Sequence, residues 1–136
     1  MVFEMTRIDH IGIATDSIAD ATTFWEMLGF NVMKDEVVED QGVKIRYLNC
    51  DSETRIELLE PLSEESPVGR FITNRGAGVQ QVAISVEDLE EAISSLIDNG
   101  IRMINNEPVI GSGGHRIAFV HPSSSGGVLV ELVEDN

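Results

Sequence analysis

The chain has 136 residues and a formal net charge of −15, from 24 acidic and nine basic residues. This length predicts one domain with its own hydrophobic core, and the negative charge argues against nucleic acid and anionic membranes as partners. The lone Cys50 cannot form an intramolecular disulfide, and no segment has the composition of a membrane span or signal peptide, so we expect a cytoplasmic protein.

Hydrophobic periodicity predicts the order β-α-β-β-β in the first half of the chain. Residues 7–15 alternate between apolar and polar side chains, which predicts a strand. Apolar residues then recur at helical spacing over 16–29, where Asp16 or Ser17 can cap the start of a helix. Three more strands are predicted at 30–38, 43–49 and 55–62.

The second half of the chain repeats this order after a joint. Ser66 and Pro67 can open a short helix that ends near Gly76. A strand (78–86), a helix (87–100) and three strands (101–105, 116–121 and 127–133) follow. We therefore predict the α+β class, with two tandem βαβββ modules in one cupped mixed sheet: module one at 6–62, the joint at 63–77 and module two at 78–134.

The repeat also duplicates polar residues within its apolar strands. A shift of 71 residues places His10 on Gln81, and a shift of 74 places Glu57 on Glu131. An internal twofold repeat brings such equivalent positions together, and strand alternation puts all four on the face opposite the helices.

Ionised carboxylates among apolar neighbours are costly unless they are paired or coordinated. No Lys or Arg lies where it would clearly pair with both glutamates. We therefore predict a site for one divalent metal ion with His10, Glu57, Gln81 and Glu131 as ligands. These donors suit Zn²⁺, Co²⁺, Mn²⁺, Ni²⁺ or Fe²⁺, and the sequence does not choose among them.

Two weaker signals have simpler interpretations. His121 with the serines at 123–125 could indicate nucleophilic catalysis, but no G-x-S-x-G elbow occurs and we predict a polar turn. The glycine-rich stretch at 111–114 does not join a strand to a helix, so no dinucleotide site is predicted. It is either an anion-binding loop or a plain hairpin loop.

Sequence motifs along nearly the whole chain are shared with a known family. They are IDHIGIA at 8–14, FW at 24–25, LGF at 28–30, IELLEPL at 56–62 with SP at 66–67, EP at 107–108, IG at 110–111, GG at 113–114, IAF at 117–119, HP at 121–122 and GGVLVEL at 126–132. In these motifs the chain resembles methylmalonyl-CoA epimerases of the vicinal oxygen chelate superfamily. The resemblance implies paired βαβββ modules, a homodimer, and one divalent metal ion held at His10, Glu57, Gln81 and Glu131.

The implied activity is epimerisation at the α-carbon of a 2-methylmalonyl-type CoA thioester, with Glu57 and Glu131 as the opposed acid and base. The chain departs from the family where Gln80-Gln81 replaces a His-His pair and Ser123 replaces a lysine. Two alternatives stay open. The ligand types also match a glyoxalase-I-like lactoylglutathione lyase, and some members of the superfamily bind small ligands without catalysis.

Overall fold

The computed structural model describes residues 5–135, and the chain divides into two compact units. The first unit is His10–Gln80. The second unit runs from Gln81 onward and includes the stretch that ends at Asp9. Each unit contributes one β-α-β-β-β series, so the predicted α+β class with two βαβββ modules is confirmed.

The first unit contains four strands and two helices. They are β1 (Met5–Ala14, from His10 in this unit), α1 (Ile18–Met27), β2 (Asn31–Val38), β3 (Val43–Asn49), β4 (Arg55–Pro61) and α2 (Pro67–Arg75). The strand order is β2-β3-β4-β1, in which β4 pairs parallel to β1 and antiparallel to β3. Side chains of Ser17 and Ser66 cap the two helices as predicted, since each accepts a hydrogen bond from a backbone N–H in the first turn.

The second unit has the same plan with a shorter second strand. Its elements are β5 (Gly78–Val86, from Gln81 in this unit), α3 (Leu89–Asp98), β6 (Val109–Ile110), β7 (Arg116–Val120) and β8 (Leu129–Glu134). The strand order is β5-β8-β7-β6, with β5 parallel to β8 and the other pairs antiparallel. No helix in the described part of the chain has the length and hydropathy needed to cross a membrane.

Each helix that follows the first strand of a module packs on one face of its own sheet. In the first unit the buried cluster beneath α1 contains Ile18 of the helix, Ile56 and Leu58 of β4, and the half-buried Ile11 and Ile13 of β1. Full burial of a leucine such as Leu58 contributes about 1.5–3 kcal/mol. The predicted alternation in these strands is confirmed, so His10 and Glu57 lie on the face away from α1. The expectation that this face is opposite all the helices is wrong, because Val68 of α2 packs there in the cluster that contains Tyr47 and Leu59.

The second unit shows the same division between faces. Leu89, Ala92 and Ile93 of α3 pack in a cluster that includes Leu132 of β8 and the half-buried Ile84. Because side chains alternate along a strand, Gln81 and Glu131 lie on the face away from α3. That second face carries its own apolar cluster, which contains Ala83, Ile117, Val133 and the half-buried Phe119.

The predicted strand at 101–105 is wrong. Only Met103 forms a bridge, with Val120. The strand that pairs with β7 on the side away from β8 is the two-residue β6, further along the chain. The Asn105 side chain explains the interruption, because its Oδ1 accepts the Phe119 backbone N–H at 2.8 Å, where a strand would offer a backbone carbonyl. Pro108, which lacks an N–H donor, then precedes β6.

Replacing Asn105 with alanine should lower the free energy of unfolding by about 1–3 kcal/mol, because the Phe119 N–H loses its acceptor in a partly buried position. Urea denaturation followed by circular dichroism measures the change. Asn106→Ala is the matched control, since this neighbouring asparagine is exposed, and it should change stability by less than about 0.5 kcal/mol. Equal effects of the two substitutions would contradict the role given to Asn105.

Candidate metal centre

Glu57 is a buried carboxylate in the middle of the first unit's sheet. It lies on β4 between Tyr47 of β3 and Gly12 of β1, and its side chain is 2% exposed. His10 precedes Gly12 by two residues on the same face of β1. Gly12 has no side chain, which leaves room for the imidazole to approach the carboxylate, and His10 Nδ1 lies 3.2 Å from Glu57 Oε2.

The second unit repeats this arrangement around Glu131. This residue lies on β8 between Phe119 of β7 and Ala83 of β5, and it is 5% exposed. Gln81 precedes Ala83 by two residues, and its Nε2 donates a hydrogen bond of 2.8 Å to Glu131 Oε1. In both units an aromatic residue flanks the carboxylate on one side and a small residue on the other.

The structure therefore brings the four predicted ligands together as two pairs, each within its own unit. His10 contacts Glu57, and Gln81 contacts Glu131. All four residues are buried. It remains a prediction that one cation takes ligands from both pairs.

Arg55 is a residue of the site that the sequence analysis missed. Its Nη2 lies 3.3 Å from Glu57 Oε2, the same oxygen that His10 approaches. The signal was present in the sequence, because residues two apart in a strand share a face. The expectation from the sequence concerned a basic residue that pairs with both glutamates, whereas the contact described for Arg55 is with Glu57.

Tyr47, the aromatic neighbour of Glu57, has polar partners of its own. Its hydroxyl donates a hydrogen bond of 2.6 Å to Glu36 Oε1, and Lys34 Nζ lies 5.0 Å from the centre of its ring. A buried tyrosine hydroxyl usually needs such a partner. Cross-strand pairing places Lys34 opposite Tyr47 and Tyr47 opposite Glu57, so this row brings a lysine to the same face as the buried carboxylate.

The donor set fits a divalent metal ion in chemical type. Carboxylate oxygens and an imidazole nitrogen are common ligands of Zn²⁺ and Co²⁺. The amide of Gln81 points its Nε2 at Glu131, so its Oε1 is the atom that can bind a cation. The negative charge of an ionised carboxylate in the site also favours a divalent ion.

The weaker sequence signals take no part in this arrangement. His121 begins a turn over Pro122–Ser124, where its Nδ1 accepts the Ser123 backbone N–H at 3.0 Å, as the polar-turn prediction requires. The stretch at 111–114 contains a 3₁₀ turn, Ser112–Gly114, with Gly113 and Gly114 at positive φ. This places it in the loop between β6 and β7.

A second group of carboxylates lies on the surface and already has a cation. Asp88, Glu90 and Glu134 have ligand atoms within 4.8 Å of one another. Arg116 donates hydrogen bonds to Glu90 at 2.6 Å and to Glu134 at 2.8 Å. These bonds, chiefly the one to Glu90, raise the pKa of Arg116 above its usual value. The group is therefore an exposed ion-pair cluster.

Gln81→Leu should lower the free energy of unfolding by about 1–3 kcal/mol, since Glu131 would lose its amide donor in a buried position. Gln80→Leu is the matched control on the opposite face of β5. The Gln80 Oε1 is buried and has no hydrogen-bond partner within residues 5–135, so its removal should leave stability unchanged or raise it. Urea denaturation of both variants at pH 7 makes the comparison, and a larger loss in Gln80→Leu would contradict this account of β5.

Comparisons with known proteins identify the family of this chain. Residues 9–119 match the Glyoxalase/Bleomycin resistance protein/Dioxygenase superfamily. A solved structure of a hypothetical protein from Bacillus halodurans C-125 is similar at 47% identity and a TM-score of 0.91, over 96% of this chain and 94% of that one.

Two further similar proteins are epimerases by name. The mitochondrial methylmalonyl-CoA epimerase of Bos taurus is 34% identical over 96% of this chain and 75% of its own length. A solved methylmalonyl-CoA epimerase in complex with methylmalonyl-CoA and NH4+ is 38% identical, with a TM-score of 0.90 over 97% of this chain and 96% of that one. The chain therefore belongs to the glyoxalase/bleomycin resistance protein/dioxygenase superfamily and, within it, to the methylmalonyl-CoA epimerases.

Proposed function

We propose that this protein is an isomerase that interconverts (R)- and (S)-methylmalonyl-CoA, or a close 2-substituted malonyl-CoA thioester. The observation that carries the proposal is the repeated placement of a buried carboxylate, Glu57 in one unit and Glu131 in the other, beside an imidazole or an amide. Epimerisation needs a group that removes the α-proton and a second group that returns a proton to the opposite side of the carbon. Two similarly built carboxylate sites are suited to that task.

The predicted cation belongs to this proposal. We propose that His10, Glu57, Gln81 and Glu131 hold one divalent metal ion, of which Co²⁺, Zn²⁺, Ni²⁺ and Mn²⁺ are the candidates. When bound, such an ion would polarise the thioester carbonyl and stabilise the negative charge that develops on its oxygen by several kcal/mol. A neutral amide oxygen is a weaker donor than imidazole to Co²⁺ or Zn²⁺, so the ligand Gln81 is expected to moderate the affinity of the site.

Glu57 and Glu131 are the proposed proton-transfer groups. In one direction one carboxylate takes the α-proton and becomes neutral, while the other, initially protonated, gives its proton to the opposite side of the α-carbon. The reverse reaction exchanges the two roles. Burial among apolar residues such as Ala83 and Phe119 supports this chemistry, since exclusion of water strengthens the electrostatic interactions within the site.

Substrate and assembly follow from the same proposal. A solved relative contains methylmalonyl-CoA, which supports an acyl-CoA thioester as the substrate. With a net charge of −15, the protein can bind such an anion only through local donors, and Lys34 lies two strands from Glu57 on the same face. The family resemblance supports the predicted homodimer, and the single cysteine is compatible with the predicted cytoplasmic location.

The proposal is tested by incubating methylmalonyl-CoA with the protein and Co²⁺ in heavy water and following the α-proton by NMR. We expect deuterium to replace the α-proton. Glu131→Gln should lower the rate by about 10²–10⁴-fold, because an amide cannot carry the proton. Glu134→Gln is the control, since this residue accepts hydrogen bonds from Arg116 and the Leu89 N–H outside the site, and its rate should stay near that of the original protein.

An α-proton that persists with the unsubstituted protein would overturn the epimerase proposal. Methylglyoxal with glutathione, followed at the thioester absorbance, is the parallel assay for the lactoylglutathione lyase alternative. Activity in that assay alone would assign the site to the alternative reaction. Ligand binding without turnover in either assay, unchanged by a chelator, would indicate a binding protein.

A further inference from the structure

Glu57 has an arginine among the groups that contact it. Glu57 Oε2 is approached by the guanidinium of Arg55 at 3.3 Å and by His10 Nδ1 at 3.2 Å. In the second unit, Glu131 Oε1 accepts a hydrogen bond from the amide of Gln81. An arginine side chain keeps its positive charge at any pH at which the protein is folded. Glu57 therefore has a permanent cation beside it within the protein itself.

The two units differ at the position of this arginine in the internal repeat. In the first unit the β1–β4 register places His10 beside Arg55, and in the second the β5–β8 register places Gln81 beside Leu129. Arg55 and Leu129 each precede the carboxylate of their strand by two residues, so they are equivalent. The first unit therefore has a positively charged side chain, Arg55, where the second unit has an apolar one, Leu129.

From this asymmetry we propose that Arg55 is a positioning residue that acts as the counter-cation of Glu57 in the metal-free protein and leaves that place when a divalent ion binds. The ion and the guanidinium both need the Glu57 carboxylate, and their like charges repel. Arg55 has room to leave, because its side chain is 26% exposed whereas Glu57 is 2% exposed. The inference rests on the cation site of the proposed function.

Arg55 then has two measurable effects. It stabilises the metal-free protein, because a buried carboxylate without a compensating charge is strongly destabilising. It also lowers the affinity for a divalent ion, which must displace it. The protein is therefore stable without the metal ion, but it binds the ion more weakly than it would without Arg55.

The experiment titrates metal-stripped protein with Co²⁺ by isothermal calorimetry and measures the melting temperature without metal. Arg55→Met should lower that melting temperature and tighten Co²⁺ binding about tenfold, equivalent to about 1.4 kcal/mol. Arg55→Lys, which keeps the charge, should restore both values towards those of the original protein. Arg46→Met is the matched control, because Arg46 carries the same charge but pairs with Asp35 at 2.7 Å and faces α1.

The control variant should lose stability without a change in Co²⁺ affinity. A second comparison uses Glu57→Gln, in which the carboxylate is gone. There, adding Arg55→Met should change neither the melting temperature nor the affinity appreciably. If Arg55→Met alone fails to fold, the double variant should fold, and failure of both would show that Arg55 is needed for packing and would overturn the inference.

The outcomes separate this inference from the proposed function. Co²⁺ binding that is unchanged or weaker in Arg55→Met overturns the counter-cation role and leaves the epimerase proposal standing. An unsubstituted protein that binds no Co²⁺ overturns both the cation site and the role of Arg55. Deuterium exchange into methylmalonyl-CoA, measured separately, tests the epimerase proposal without reference to the Arg55 variants.

Discussion

Each unit of the protein buries a glutamate in its sheet, and the need to compensate that buried charge constrains the surrounding residues. A carboxylate removed from water is destabilising unless charges or hydrogen bonds offset the loss of hydration. Glu57 is compensated by His10 and Arg55, and Glu131 by Gln81. Such groups are retained at sites that perform chemistry, since an apolar residue in the same place would serve stability better.

Backbone register makes this compensation possible. The parallel pairing of the first strand of each module with the last places a small residue, Gly12 or Ala83, directly beside the carboxylate. The residue two positions earlier, His10 or Gln81, can then reach across that small neighbour to the carboxylate. A small residue therefore lies beside each buried carboxylate, next to its polar partner on the same face.

The sequence predicted most of the fold because the relevant signals are local. Alternation over β1, β4, β5 and β8 assigned the faces correctly, and the serine caps marked the starts of α1 and α2. The strand at 101–105 was wrong because the Asn105 side chain competes with a backbone acceptor. Hydrophobic pattern does not report such competition.

For the site, the sequence predicted which residues share a face but not which of them touch. The contact of His10 with Glu57 depends on the register between β1 and β4, and register is set by pairing between distant parts of the chain. Arg55 was missed for a related reason. Its position relative to Glu57 is readable from alternation, but alternation alone does not show that the guanidinium contacts this carboxylate.

The central claim is that one cation takes ligands from both pairs. Crystals of the protein with bound Co²⁺, measured at wavelengths on either side of the cobalt absorption edge, test it most directly. We expect a single anomalous peak at about 2.0–2.3 Å from a nitrogen of His10 and from an oxygen each of Glu57, Gln81 and Glu131. An anomalous peak that contacts only one of the two pairs, or no peak at these residues, would contradict the account.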